Sequence, residues 1–249
     1  MQFSGLRNYR LLIADPIFQS SFINTLLILF LVGGATFILS FVTMIILRQM
    51  AARRIVRAII FFPNILSGVA VAILWGFLFQ PDGLVNQGLA VFGITNHPAW
   101  LAESNLFAII MLALLWLSIG FYTTIFLAAN DSIPPYYYEE AALAGASAIQ
   151  TFRHVTFPLI SDTVAIAAII WSVGSIKVFE LILAFAGGAG YLPSTKVWNT
   201  ALYSYAEAFA ATGEPRYGTS AASAFLTLAI AGILVVLINR LRRREALEL

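Results

Sequence analysis

The stretch IPPYYYEEAALAGASAIQTFRHVTFP, from Ile133 to Pro158, is the one long interval of mixed polarity between two strongly apolar blocks. Pro134 and Pro135 stop or redirect a helix, because proline cannot continue its interior hydrogen bonding. The alanine-rich run behind them (Glu139, Ala141, Ala142, Leu143, Ala144, Ala146, Ala148) suits a helix by propensity. Glu139 and Glu140 lie near its start, where the helix dipole favours acids. Pro158 marks a new start. Residues 134–153 therefore predict a short, non-spanning helix in a loop between apolar blocks. Two readings of such a helix stand side by side: a connector that covers the end of a bundle, or a docking element for a partner.

Working outward, the 249 residues are 60% hydrophobic and only 10% charged. Soluble domains carry about 25% charged residues. Runs of this length and polarity predict an all-α, polytopic membrane bundle. Cysteine is absent, which removes disulfide and thiol chemistry. His97 and His154 are isolated, so no metal-ligand cluster is visible. The opening residues lack the charged-then-apolar order of a secretion signal.

Five spans are expected, at about 22–47, 58–79, 105–129, 157–185 and 219–238. Residues 1–20 form an amphipathic lead, with Phe3, Leu6, Tyr9, Leu11, Leu12 and Ile13 suited to an interface. In the first span Gly33, Gly34 and Ala35 offer close helix approach, and Asn24 and Thr25 read as caps at its start. Pro63-Asn64 breaks the second span. The carbonyl freed there needs protein or a water-lined cavity, which makes Asn64 a candidate pathway residue, an ordinary kink being the alternative. Pro81, Asp82 and Gly83 signal a turn in the loop 80–104.

The third span carries Trp116, Ser118, Gly120, Tyr122, Thr123 and Thr124. Aromatic and small polar groups of this kind suit sugar rings and hydroxyls, and equally suit interhelical hydrogen bonds. Trp116 and Tyr122 are the candidates for solute contact. In the fourth span Lys177 and Glu180 are ionisable groups at membrane depth, which face a bundle interior or water and are candidate pathway residues with the neighbouring Ser175. Lys177 and Glu180, three apart, would share one helix face and pair locally. Beyond it, Trp198 to Phe209 predicts an amphipathic helical patch in a long loop.

Nine Lys/Arg (Arg48, Arg53, Arg54, Arg57, Arg153, Arg240, Arg242, Arg243 and Arg244) fall on one side of these spans, and four (Arg7, Arg10, Lys196 and Arg216) on the other. By the positive-inside rule the first group is cytoplasmic. The N-terminus is then external, the C-terminal tail 241–249 cytoplasmic, and the Glu139 loop inside. Nucleic-acid binding does not fit an arginine cluster that flanks apolar spans.

The loop resembles the "EAA" loop of ABC-transporter permeases. The match rests on Glu139, Ala141, Gly145 six residues after the glutamate, and Val155, Phe157 and Pro158 in the Ile-x-Leu-Pro close. Glu140 stands where the first alanine is usual, and Ala144 where sugar-branch permeases have aspartate. Two further stretches are similar in outline: Ser175, Phe179, Glu180, Gly187, Gly188 and Gly190 to one sugar-permease motif, and Tyr217, Gly218, Ala221 and Ala224 to another. The chain looks closest to the carbohydrate-uptake branch of binding-protein-dependent importers, including glycerol-3-phosphate and maltose types. The resemblance implies the type I importer transmembrane fold. On that fold the usual first span is expected to be absent from this sequence, since Met1 lies in the segment that precedes the second.

On this resemblance the loop is a coupling helix seated on a cytoplasmic ATPase, with Glu139, Glu140, Ala141, Gly145, Val155, Phe157 and Pro158 as the coupling residues. The implied partners are a second homologous permease, two cytosolic ABC ATPases and an external solute-binding protein. ATP is then used by the ATPases, and this chain binds no cofactor. It carries no glycine-rich Lys-Ser/Thr phosphate loop. A secondary transporter would show ionisable groups at mid-depth and inverted repeats, and Glu180 is the one strong acidic candidate. A membrane enzyme would need a clustered catalytic set, which the two histidines and scattered acids do not form.

Overall fold

The computed structural model describes residues 5–185, 192–210 and 214–245, and these are helices, turns and irregular segments. Gly187, Gly188 and Gly190, which carry part of the resemblance above, lie outside the described residues. Four helices are long and apolar enough to cross a membrane, and a bent helix pair makes a fifth.

Helix α1 (Arg7–Ala14) lies against the last helix, with Leu12 fully buried and Leu6, Leu11 and Ile13 exposed. Helix α2 (Pro16–Arg48) is the first long one. It starts six residues before the predicted span because Asp15 caps it, accepting from the Ile17 amide at 2.8 Å, and Pro16 fits the first turn. Asn24 and Thr25 are consequently interior, not caps. Asn24 Nδ2 donates to the carbonyls of Lys196 and Trp198 at 2.7 and 2.8 Å. Thr25 Oγ1 accepts from the Thr200 amide at 2.9 Å. Both side chains fasten a distant segment to α2.

Leu27–Val32 forms a π-helical turn within α2. The indole of Trp171 reaches this turn and donates to the Leu29 carbonyl at 2.8 Å. Gly33 makes the seat: a Cβ there would fall 2.2 Å from the indole nitrogen. Gly34 faces open space, so only the first glycine of the pair serves close packing.

The proline break is present. Helix α3 (Arg53–Phe61) gives way to a 3-10 turn (Phe62–Ile65), and Ser67 caps α4 (Gly68–Phe79). Gly120 meets this break, since a Cβ on it would lie 1.8 Å from the Ile60 carbonyl oxygen. The turn closes as Gly83 N donates to Gln80 O at 2.8 Å, and α5 (Leu84–Val91) follows. Helix α6 (Leu106–Asp131) packs along α2 and forms the centre of the bundle.

The fourth predicted span departs most from expectation. Helix α8 (Ala148–Leu159) meets α9 (Ser161–Ile176) at 75°. Helix α9 then stops at Ile176, and α10 (Glu180–Ala184) packs against α4. One continuous helix over 157–185 is therefore replaced by three pieces. The expected Lys177–Glu180 pair is lost with it: residues 177–179 are not helical, both side chains are exposed, and neither has an ion-pair partner among the described residues.

The patch predicted over Trp198 to Phe209 is helical from Thr200, as α11 (residues 200–210), capped by Asn199 accepting from Leu202 N. It is no surface ornament. Leu202 and Tyr203 are buried, and α11 wedges between α2 and α12 (Tyr217–Glu245). Glu207 closes the wedge, accepting from Arg216 at 2.6 Å and from Thr219 Oγ1 at 2.8 Å.

Candidate functional site at the arginine end of the bundle

Beyond Asp131 the chain turns through the buried Ile133 and the two prolines into α7 (Tyr136–Leu143). The alanine-rich run does not stay helical to Ala148. It stops because Gly145 takes φ +71°. Gly145 N then donates to Ala142 O at 3.0 Å and Ala146 N to Ala141 O at 2.9 Å. These two bonds satisfy the last carbonyls of α7 in the manner of a Schellman motif. Ser147 restarts the chain with a capping box, its side chain bonded to Gln150 N and its amide to Gln150 Oε1 at 2.8 Å. The predicted short helix is thus a helical hairpin, α7 and the first turn of α8, with Gly145 at its tip.

Tyr138 ties this hairpin down. Its hydroxyl donates to Asn130 Oδ1 at 2.9 Å and lies 3.3 Å from Thr156 Oγ1. Its ring sits under the Arg48 guanidinium at 3.4 Å, a cation–π contact worth about 0.5–1 kcal/mol when exposed. One side chain thereby joins α7 to the ends of α2, α6 and α8. A cavity of about 360 Å³ remains beside it, bounded by Met44, Arg48, Asn130, Ala146 and Phe152.

From the hairpin an aromatic chain runs into the bundle. Phe152 and Phe157 meet edge-on the ring of Phe41, at 5.4 and 6.1 Å between centroids. Phe41 stacks on Phe126 at 4.3 Å. Phe126 meets Phe37, Phe37 meets Tyr122, and Tyr122 meets Trp171 at 5.9 Å. The chain ends where Trp171 enters the π-helical turn of α2.

The outer surface of the hairpin is apolar and uncovered. Leu143 is 90% exposed and Ile149 79%. Glu139, Glu140, Gly145 and Pro158 are exposed beside them, Ala141 and Val155 are half-buried, and Phe157 is exposed on one side. Sequence reasoning found the glutamates and the glycine but not Leu143, Ile149 or Tyr138. The three consecutive tyrosines at 136–138, bulky residues opening an alanine-rich helix, were the available signal for the last.

The candidate pathway residues are not gathered at one place. Asn64 is exposed at the break, 3.5 Å from the Leu117 carbonyl. Trp116 is half-buried against Trp75, 6.0 Å away. Tyr122 is 5% exposed within the aromatic chain, and Ser175 is buried with its hydroxyl on Ser172 O at 3.3 Å. Lys177 and Glu180 flank the gap between α9 and α10.

Residues 48–245 match the family described as "Binding-protein-dependent transport system inner membrane component". A probable ABC transporter permease of Pyrococcus horikoshii is 31% identical over 236 residues, covering 93% of this chain and 80% of its own. An sn-glycerol-3-phosphate transport system permease of Pectobacterium atrosepticum is 30% identical over 247 residues, covering 98% and 81%. Among solved structures, a bacterial ABC transporter involved in import of the acidic polysaccharide alginate superposes with a TM-score of 0.84 at 25% identity, over 98% of this chain and 85% of that one. The all-helical architecture and the span of the match agree: the chain belongs to the inner-membrane permease family of binding-protein-dependent ABC importers.

Proposed function

We propose that the chain is one permease half of an importer for a carbohydrate or related polyol, working with a second homologous permease, two cytosolic ATPases and an external solute-binding protein. The observation that carries the reading is the hairpin: a rigidly anchored turn that presents Leu143 and Ile149, uncovered, at the end of the bundle where the arginines cluster. Placing that end in the cytoplasm follows the positive-inside rule, and leaves the loops around Glu103 and Lys196 outside. The ATPase docks on the hairpin, with Glu139 and Glu140 meeting basic groups on it. The ATPase alone handles ATP, and this chain binds no cofactor. Its motion reaches the spans through Tyr138 and the ring chain from Phe157 to Trp171, a contiguous packed route.

On this reading Asn64, Lys177 and Glu180 line the pathway where helices break, Trp116 lines it from the unbroken α6, and the buried Tyr122 and Ser175 hold their neighbours in place. The cargo class is supported by relatives: besides the glycerol phosphate permease, a probable starch degradation products transport system permease of Thermoanaerobacterium thermosulfurigenes is 28% identical over 251 residues. A second alginate importer structure was solved with its pentasaccharide-bound periplasmic protein, at a TM-score of 0.81.

The test is reconstitution with the partner subunits and a solute screen on the binding protein. Neutral oligosaccharides or polyols are expected to raise ATP turnover. Stimulation by glycerol phosphate alone would replace the cargo. Turnover and uptake without any ATPase subunit would overturn the reading.

A further inference from the structure

A second feature of the arginine end is separate from the hairpin. Helix α3 is strongly two-faced. Ile55, Ile59 and Phe62 form an exposed apolar stripe at i, i+4 and i+7. Arg54 and Arg57, with Ala58 and Phe61, line an open cavity of about 480 Å³ beside that stripe, and Thr124 of α6 forms its inner wall. Arg53 on the same helix is paired with Asp131 at 3.3 Å. Arg54 and Arg57 have no acidic partner among the described residues.

Two like charges one helical turn apart repel, and Arg57 is half-buried. An anion with several acceptor oxygens would relieve both. A phosphate group matches guanidinium geometry. The apolar stripe alongside and the apolar span that follows the break call for acyl chains on the same ligand. We propose that this cavity is a binding site for the phosphate headgroup of an anionic phospholipid, with Arg54 and Arg57 on the phosphate and Ile55, Ile59 and Phe62 against the chains. The site does not depend on the cargo or on the docking role of the hairpin.

The experiment uses the full chain in mild detergent, with retained lipid counted by native mass spectrometry. Phosphatidylglycerol and phosphatidylcholine of identical chains compete. The wild-type chain is expected to hold one phosphatidylglycerol with a preference on the order of tenfold, the scale set by two arginines near a charged headgroup. Arg54→Gln with Arg57→Gln should abolish the preference, while Arg7→Gln with Arg10→Gln, an equal charge change at the other end, should keep it. Equal loss in both pairs, or no loss in the first, overturns the site. Displacement of the lipid by soluble glycerol phosphate at equal concentration also overturns it, by making a free phosphate the ligand. Should the first pair not fold, Arg54→Lys with Arg57→Lys takes its place, keeping the charge and removing the guanidinium fork: a several-fold weaker preference supports the site, and an unchanged one overturns it.

Discussion

Gly145 and Gly33 are both required, for opposite reasons. Gly33 is a matter of space, since the Trp171 indole occupies the position of a side chain. Gly145 has nothing within 4 Å of where a Cβ would stand, so its requirement inside this chain is conformational, φ +71°. That conformation costs an L-residue about 1–2 kcal/mol, least for asparagine and most for a β-branched residue. Gly145→Asn is therefore expected to keep transport near the wild-type level. Gly145→Val should distort the hairpin tip and uncouple ATP use from uptake. The ratio of solute uptake to ATP hydrolysed in proteoliposomes checks this, and normal coupling in the valine variant would show that the tip tolerates another geometry. The sequence marks Gly145 through its spacing from Glu139. It does not reveal which of the two reasons applies, because positive φ and close contact both select glycine.

Elements were legible where apolar runs and prolines are long-range signals, and illegible where the chain breaks without either. The break at Pro63 is readable because a proline amide cannot join the helix. The gap after Ile176 has neither proline nor glycine within residues 177–179; it goes with the packing of α10 on α4, where a Cβ on Gly68 would lie 3.3 Å from the Leu181 amide nitrogen. Asn24 and Thr25 look like caps because their partners, 172 to 175 residues away, are invisible to local reasoning. The loop elements at the opposite end obey a similar logic. Glu103 accepts from the Ser194 hydroxyl and from Lys196 Nζ at 3.2 Å, joining the approach to α6 to the segment before α11. The Ser194 hydrogen bond first, then Lys196, hold its carboxyl below the ordinary glutamate value. A depressed folded-state pKa stabilises above the unfolded value and is lost as pH falls through the folded one. The latch should thus be intact at neutral pH and fail only below the ordinary glutamate range of about 4.3. Glu103→Gln is expected to lower the melting temperature slightly at pH 7, more at low salt than at high, and the deficit is expected to shrink as the pH falls below the ordinary glutamate range. An equal deficit above and below that range would mean that the carboxylate charge is not what holds the loops.

At the scale of the molecule, the charge asymmetry and the exposed hairpin point the same way. One end of the bundle carries Arg48, Arg53, Arg54 and Arg57 beside a hairpin that turns Leu143 and Ile149 outward. Leu143 and Ile149 lie on either side of the Gly145 turn, and nothing among the described residues covers them. Burying a leucine or isoleucine fully is worth about 1.5–3 kcal/mol, although association recovers only part of that. Leu143→Ser with Ile149→Ser should therefore weaken ATPase binding by roughly ten- to a hundredfold. The fold should be spared, because neither side chain contributes to the core. Val91→Ser is the matched control: the valine is 84% exposed at the opposite end, and its loss should leave ATPase binding alone. The measurement is affinity of the solubilised permease for the purified ATPase subunit, with thermal unfolding run in parallel. Unaltered affinity in the Leu143–Ile149 variant, with intact unfolding, would make the hairpin a cover for the bundle end and move the docking surface elsewhere on the arginine face.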